Sequence, residues 1–164
     1  MEFILTVMAN DRPGIAERLA REIEAHNGNW LESRMATMAG KFAGIVRIDV
    51  PANQADAAQK ALQRLRDEGL SVHIEHGDSS TATFQEHRIE VVGNDRPGIV
   101  REVTKALASL GVNVIDLQTE IEAASMSGGS LFRANIEFAL DDTQSMEAVI
   151  TALENLSPDL MVDR

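Results

Sequence analysis

One six-residue segment occurs twice in this chain, and this repeat constrains the fold more than any other feature of the sequence. Residues 10–15 read Asn-Asp-Arg-Pro-Gly-Ile, and residues 94–99 repeat them letter for letter in a chain of 164 residues. The same spacing relates apolar positions outside the segment, such as Leu5 and Ile89. Because the spacing is close to half of the chain length, we predict two copies of one small domain.

The repeat is interrupted once, before the third strand of the second copy. Beyond that point, a spacing of 88 residues places Val46 on Ala134 and Ile48 on Ile136. We therefore predict an insertion of four residues, located in the glycine-rich stretch 125–130.

Apolar periodicity predicts the same six elements in each copy. An apolar run of strand length precedes the repeated segment, and Ile15, Leu19 and Ile23 then follow at helical spacing up to Asn27-Gly28, which is expected to end the helix. Two alternating strands, a second amphipathic helix and a short strand complete the pattern. This βαββαβ order predicts an α+β protein with two ferredoxin-like domains, each a four-stranded antiparallel sheet with two helices on one face.

The domain boundaries follow from the same pattern. We predict a first domain over residues 1–76, a polar linker over 77–85 and a second domain over 86–164. The sheet face without helices differs between the copies, because Ile4, Thr6 and Met8 of the first are replaced in the second by charged or smaller residues, Arg88, Glu90 and Val92. The first copy therefore has more apolar surface on which to meet a partner.

The repeated segment has the chemistry of a turn that leads into a helix. Proline is expected at the first helical position, and glycine allows close approach to the backbone. Free amides of the first helical turn attract a carboxylate, and the aspartate could meet an ammonium group. With an asparagine at the start of the second strand, this set suits a zwitterionic amino acid, although the same segment is also an ordinary way to begin a helix.

Several motifs together resemble the ACT domain. They are the strand followed by Asn-Asp-Arg-Pro-Gly-Ile, the amphipathic helix, the Asn-(Trp/Val)-(Leu/Ile)-(Glu/Asp) sequence that opens the second strand, and the βαββαβ order, and they occur twice. The resemblance implies amino-acid binding between paired domains, with occupancy passed on to an enzyme or a transcription factor. Many ACT sites have asparagine where this chain has Asp11 and Asp95. Carried over by position, the ligand-binding residues are Asn10, Asp11, Arg12, Gly14, Ile15 and Asn29 in the first copy, and Asn94, Asp95, Arg96, Gly98, Ile99 and Asn113 in the second.

A tandem pair with a longer loop in its second copy is similar to the glycine cleavage system transcriptional repressor group. That resemblance implies a sensor of a small amino acid, with glycine as one candidate, that modulates transcription through contact with a DNA-binding regulator. Two alternatives stay open: a constitutive protein-interaction module, and a regulatory subunit of an amino-acid metabolic enzyme supplied in trans. The small size of each copy also favours a homo-oligomer or a tightly packed tandem.

Composition excludes several other functions. A net charge of −11 disfavours direct nucleic-acid binding, and the lack of cysteine removes disulfides and thiolate chemistry. No apolar run reaches the length of a membrane span, so the cytoplasm is the expected compartment. His73 and His76 lie three apart on a strand and should point to opposite faces, so no metal site is predicted. We expect no cofactor and no catalytic activity, since no activated nucleophile is recognisable.

Overall fold

The computed structural model describes residues 1–78, 84–126 and 128–164, and it divides into two compact units, Met1–Ser80 and Thr81–Arg164. Most of the predicted linker, residues 79–83, lies outside the described residues, as does Ser127 of the predicted insertion. Among the residues that are described, no helix combines the length and the apolar character needed to cross a membrane.

The first unit contains the six predicted elements in the predicted order. They are β1 (Glu2–Asn10), α1 (Ile15–Ala25), β2 (Asn29–Met38), β3 (Lys41–Asp49), α2 (Ala55–Arg64) and β4 (Ser71–His76). Short 3-10 turns lie before and after α2. The strands form one antiparallel sheet in the order β2-β3-β1-β4.

The second unit repeats this architecture. Its elements are β5 (Gln85–Asn94), α3 (Ile99–Ser109), β6 (Asn113–Ala123), β7 (Ser130–Leu140), α4 (Met146–Glu154) and β8 (Met161–Asp163). The sheet order is β6-β7-β5-β8, again antiparallel throughout. The prediction of two ferredoxin-like βαββαβ domains is confirmed.

Each unit has its own apolar core between the helices and one face of the sheet. In the first unit Leu5 and Val46 of the central strands pack with Leu19 of α1 and Leu62 of α2, and all four side chains are at most 1% exposed. The core of the second unit is built from the corresponding elements, with Ile89, Val103, Ile136 and Leu153. Because the strands alternate, the other sheet face of each unit carries the remaining side chains.

Both first helices end as the sequence predicts, with a left-handed residue after the last turn. Asn27 has φ 55° and Gly111 has φ 69°. In the first unit the Gly28 amide donates to the Ile23 carbonyl at 2.9 Å, which is the hydrogen bond of a Schellman motif.

The predicted spacing of 88 residues in the third strand is wrong, and the correct spacing is 90. Leu5 pairs with Val46 in the first sheet, and its counterpart Ile89 pairs with Ile136 in the second. Six residues are therefore inserted, and the insertion lies between Ala123 and Ser130, as predicted. An alternating strand repeats every two residues, so a shift of two leaves the apolar pattern unchanged and the sequence alone could not reveal it.

Candidate functional site

The repeated segment forms the same tight turn in both units. Gly14 has φ 89° and ψ 6°, and Gly98 has φ 88° and ψ −3°, which is the left-handed conformation at the third position of a type II turn. In the second unit the Ile99 amide donates to the Arg96 carbonyl across this turn at 3.3 Å. A Cβ at either glycine would meet no atom within 4 Å, so the backbone dihedral, and not a close contact within the chain, requires glycine here.

Proline does not occupy the first helical position, and that prediction is wrong. Each helix begins at isoleucine with glycine as its N-cap, so Pro13 and Pro97 lie outside the helix. The Pro-Gly pair instead takes the two central positions of the turn, for which proline supplies the fixed φ and glycine the positive one. The predicted role of the turn, to direct the chain from a strand into a helix, is confirmed.

Helical hydrogen bonding begins at the repeated glycine in both units. The first helical hydrogen bond runs from the Arg18 amide to the Gly14 carbonyl at 2.8 Å, and its counterpart from the Glu102 amide to the Gly98 carbonyl at 3.0 Å. The helix dipole gives this end a partial positive charge, and in the second unit the Ile99 amide is already bonded to the Arg96 carbonyl within the turn.

Asn10 and the aspartates of the turn connect it to the neighbouring hairpin. The Lys41 ammonium donates to the Asn10 side-chain oxygen. The Asp11 amide donates to the Gly40 carbonyl at 2.9 Å. In the second unit the Asp95 amide donates in the same way to the Ser130 carbonyl, also at 2.9 Å. The backbone of the turn is therefore tied to the hairpin, while the side chains of both aspartates are exposed.

The arginine of the first turn reaches across the unit to the segment before β4. Arg12 Nη2 donates to the Glu68 carbonyl at 2.6 Å. The Glu68 carboxylate accepts from Arg18 Nε and Nη2 at 2.8 and 2.9 Å, and Arg18 also bonds Glu22 at 2.8 Å. The hydrogen bonds from Arg18 lower the pKa of Glu68 below its ordinary value.

The arginine of the second turn is held by its own helix. Arg96 forms a two-pronged pair with Glu102, with distances of 2.8 Å for Nη1–Oε1 and 2.5 Å for Nη2–Oε2. This pair lowers the pKa of Glu102. Asp159 lies nearby and accepts from the Asn94 amide at 2.7 Å, and its pKa is lowered by the Ser157 hydroxyl and by that amide. Glu102 therefore binds the guanidinium of Arg96 directly, and the negative charge of Asp159 further raises the pKa of Arg96.

Asn29 and Asn113 do not join the turn of their own unit. Asn29 pairs with Asp49, which also pairs with Glu2 at the start of β1, whereas the turn follows Asn10 at the other end of that strand. Eight strand residues separate the two ends by about 25 Å. Asn113 is placed in the same way opposite Ala139. The predicted grouping of this asparagine with the turn is therefore not formed within one unit, because β2 and β6 run antiparallel to their neighbours.

The end of β6, and not its start, faces the turn of the second unit. A cleft of about 420 Å³ lies there. Its lining comprises the predicted residues Asp95, Arg96, Gly98 and Ile99, and five further residues, Val100, Thr119, Glu120, Ile121 and Phe132. Sequence reasoning missed this second group. The hairpin of β6 and β7 was the feature of the sequence that could have revealed them. Because β7 pairs with β5, the end of β6 lies beside the turn that follows β5.

The cleft combines three kinds of surface. Ile121, which is 55% exposed, and Val100, which is 41% exposed, provide an apolar wall beside Phe132. The Asp95 and Glu120 carboxylates give the rim negative charge, and the start of α3 offers backbone amides. Such an arrangement can hold a small molecule with an ammonium group, a carboxylate and an apolar part.

The two histidines of β4 and the tryptophan of β2 occupy separate positions in the first unit. His73 and His76 lie on opposite sheet faces, as predicted: His73 pairs with Thr6, and the His76 ring lies 5.1 Å from the Phe3 ring of the inner face. Trp30 packs against the core of the first unit. Within the described ranges, no group of three or more His, Asp or Glu side chains is placed to hold a metal ion.

Comparisons with known proteins agree with this architecture. An ACT domain model matches residues 2–75, and a second ACT domain model matches residues 81–164. A UPF0237 protein of Methanosarcina mazei is 30% identical over 82 residues, which are 47% of this chain and 87% of that protein. The sequence match to this relative therefore extends over about one copy of the domain.

Two crystal structures are similar over 99% of this chain and 95% of their own. An unknown protein from Galdieria sulphuraria has a TM-score of 0.85 and 28% identity. A candidate glycine cleavage system transcriptional repressor has a TM-score of 0.72 and 17% identity, which shows a shared fold. With both halves matched by models of the same domain, the chain belongs to the ACT domain family and carries two ACT domains in tandem.

Proposed function

We propose that this protein is a non-catalytic, amino-acid-sensing regulatory protein whose ligand binds in the cleft of the second unit. The observation that carries the proposal is the position of that cleft, which lies directly beside the repeated turn. ACT domains as a family bind amino acids or related small ligands and transmit their occupancy to a partner.

Each group of an amino acid has a suitable counterpart in the cleft. The carboxylate would meet the amides at the start of α3, where the helix dipole favours negative charge by about 0.3–1 kcal/mol at an exposed site. The ammonium group would meet Asp95 or Glu120, and the side chain would lie against Ile121 and Phe132. Because the wall is apolar and the volume is about 420 Å³, we expect an aliphatic amino acid to bind more tightly than glycine.

Arg96 is an unsuitable primary contact for the ligand carboxylate. Its guanidinium is already engaged by Glu102 and lies close to Asp159. A ligand carboxylate would have to compete with these two groups, whereas the amides of α3 are offered by the helix end itself. We therefore assign Arg96 to the support of the turn and Asp95 to direct ligand contact.

The signal would pass to a protein and not to DNA. A net charge of −11 opposes contact with a phosphate backbone but permits contact with a basic regulator in the cytoplasm. We propose that ligand occupancy changes the affinity for a DNA-binding transcription regulator, with a coupling of about 1–3 kcal/mol. Asn29 and Asn113 stay predictions as ligand contacts, since each lies far from the turn of its own unit and would have to contact a ligand bound at the turn of another unit.

The proposal is tested by thermal unfolding of the full chain with each of the common amino acids at millimolar concentration. A ligand that binds only the folded state stabilises it by RT ln(1 + [L]/Kd), or about 2.7 kcal/mol at a hundredfold excess over Kd. We expect saturable stabilisation by one or two aliphatic amino acids, and calorimetric titration then gives Kd.

Two variants decide whether the cleft is the site. Ile121→Glu places a charge on the apolar wall and should abolish the stabilisation, while Thr37→Glu, at the corresponding position of the first unit, should leave it intact. A flat response of the folded wild-type protein to the whole panel would contradict amino-acid sensing and favour the constitutive interaction module. Equal binding by wild type and Ile121→Glu would place the site elsewhere.

A further inference from the structure

The sheet face of the first unit that is turned away from its helices is apolar at its centre. We call it the open face. Its side chains alternate with those of the core, and Met8, Met38 and Ile45 are 55%, 77% and 53% exposed. These fractions are high for large apolar side chains, and Ile4 and Ala43 beside them are partly exposed.

Strand register brings these residues together. Met8 on β1 pairs with Ala43 on β3, and Ala43 pairs with Ala36 on β2. The next row along the strands places Thr6 beside Ile45. The apolar side chains therefore form one continuous patch across three strands, not a set of isolated residues.

Charged residues of the open face lie around this patch and are paired within the face. Arg47 bonds Glu2 at 3.3 Å and Glu32 at 2.8 Å at one end of the sheet. His73 lies 3.1 Å from Glu75 on the β4 side. An apolar centre with a polar rim is the anatomy of a protein–protein interface.

The second unit shows that the fold does not need apolar residues at these positions. On its corresponding sheet face, Arg133 bonds Glu90 at 2.6 Å and Glu122 at 3.1 Å. By strand register, Ala36, Met38, Ala43 and Ile45 of the first unit correspond to Glu120, Glu122, Arg133 and Asn135 of the second. Because the same fold has a polar face in the second unit, the fold itself does not require the apolar patch of the first unit.

We propose that the open face of the first unit is the surface through which two copies of this chain associate. Two chains of net charge −11 repel each other, so their association favours the surface that carries the least net charge. The open face of the first unit is nearly neutral, whereas on the second unit's face acidic residues far outnumber basic ones. The first face carries Arg34, Lys41 and Arg47 against Glu2, Glu32, Asp49 and Glu75; the second carries Arg88 and Arg133 against Glu86, Glu90, Asp116, Glu120, Glu122, Glu137 and Asp163.

The open face also suits a second copy in shape and area. The long side chains of Met8 and Met38 lie beside the short ones of Ala36 and Ala43, so a copy related by a two-fold axis can place its methionines over the alanines. Four strands about 4.8 Å apart and about 25 Å long give a face of roughly 500 Å². Two such faces together reach the total of about 1,000 Å² that a specific interface needs.

Sedimentation velocity of the full chain, from low micromolar to several hundred micromolar, tests the proposal. We expect a monomer–dimer equilibrium in the wild type. Ile45→Glu and Ala43→Arg, which place charge at the centre of the patch, should each weaken dimerisation at least tenfold. The arginine is accommodated at the register-equivalent position of the second unit, Arg133, so Ala43→Arg should fold.

The matched control is Asn135→Glu, which places the same charge at the position of the second unit that corresponds to Ile45. It should leave dimerisation unchanged. A wild type that stays monomeric throughout the range would overturn the proposal, and so would a dimer that tolerates both patch variants or is weakened equally by the control. Thermal stabilisation by amino acids is also measured on Ile45→Glu, so that an effect on dimerisation can be distinguished from an effect on ligand binding.

Discussion

The two copies of the repeated segment share a backbone but not an electrostatic setting. Gly14 and Gly98 have φ angles of 89° and 88°, so the turns are nearly identical. The residue one helical turn further on is Arg18 in the first copy and Glu102 in the second. Because the charge at this position is reversed, Arg12 bonds Glu68 across the unit, whereas Arg96 pairs with Glu102 of its own helix. Residues outside the repeat therefore decide what the repeated arginine does.

The hairpin beside the turn also differs between the copies. Thr119, Glu120 and Ile121 line the cleft of the second unit, and the residues 84 positions earlier are Met35, Ala36 and Thr37. The second unit thus offers a carboxylate and an exposed aliphatic side chain where the first offers neither. Two identical turns are consequently expected to differ in ligand binding, and the second is expected to bind more tightly.

The largest expected effect concerns a position of the third strand at which the two copies carry different residues. Gly44 corresponds by strand register to Ala134, yet a Cβ at Gly44 would lie 2.4 Å from the Arg34 carbonyl oxygen and 2.7 Å from Met35 Cγ. We expect Gly44→Ala to lower the free energy of unfolding by about 2 kcal/mol, the cost of overpacking. Urea unfolding measures it.

The matched control for Gly44→Ala is Ala134→Gly, which should cost only the backbone entropy of glycine, about 0.5–1 kcal/mol. If Gly44→Ala proved as stable as the wild type, β2 and β3 of the first unit would have to move apart at little cost.

The repeat and the apolar periodicity were enough to predict the fold. Ile15, Leu19 and Ile23 recur every four residues, and the charged residues Glu17 and Arg21 between them do not fit the two-residue alternation of a strand with a buried face. The predicted spacing of the third strand was wrong because alternation alone does not distinguish two positions that differ by two residues. By that criterion Val46 corresponds to Ala134 as well as to Ile136.

The site was predicted less completely because it depends on which ends of strands meet. The turn residues were visible in the sequence, but Asn29 was grouped with them although it lies at the opposite end of the sheet. Ile121 was missed although the hairpin returns it to the turn. Pro13 was misplaced because proline suits both the first helical position and the second position of a turn. Pairing partners, not residue types, resolve such cases.

The next effect in size tests whether the two turns are equivalent as backbone. Gly98→Val and Gly14→Val force a β-branched residue into the left-handed region, which costs about 1–2 kcal/mol. Because the dihedrals match and neither Cβ would meet another atom within 4 Å, we expect equal losses of stability. Only Gly98→Val should also weaken ligand binding in calorimetric titration. Unequal losses would show that the turns differ in strain.

A smaller effect separates the turns as ligand sites. Asp95→Ala removes a carboxylate from the rim of the cleft and should weaken amino-acid binding about tenfold, or about 1.4 kcal/mol. Asp11→Ala is the matched change in the first copy and should leave affinity unaltered. Both side chains are exposed, so neither variant should melt differently from the wild type. A larger loss of affinity from Asp11→Ala would move the site to the first unit.

The smallest effect concerns the carboxylate that distinguishes the second turn. Arg96 lowers the pKa of Glu102. The pair therefore stabilises the folded state at pH values above the ordinary glutamate pKa of about 4.3. This contribution is lost as the pH falls through the lowered pKa. Glu102→Gln should therefore melt slightly below the wild type at neutral pH and together with it in acid. Glu68→Gln, which affects the first unit in the same sense, is the control. A gap that widens on acidification would mean that Glu102 is protonated more easily in the folded protein, and Arg96 would then be available to a ligand after all.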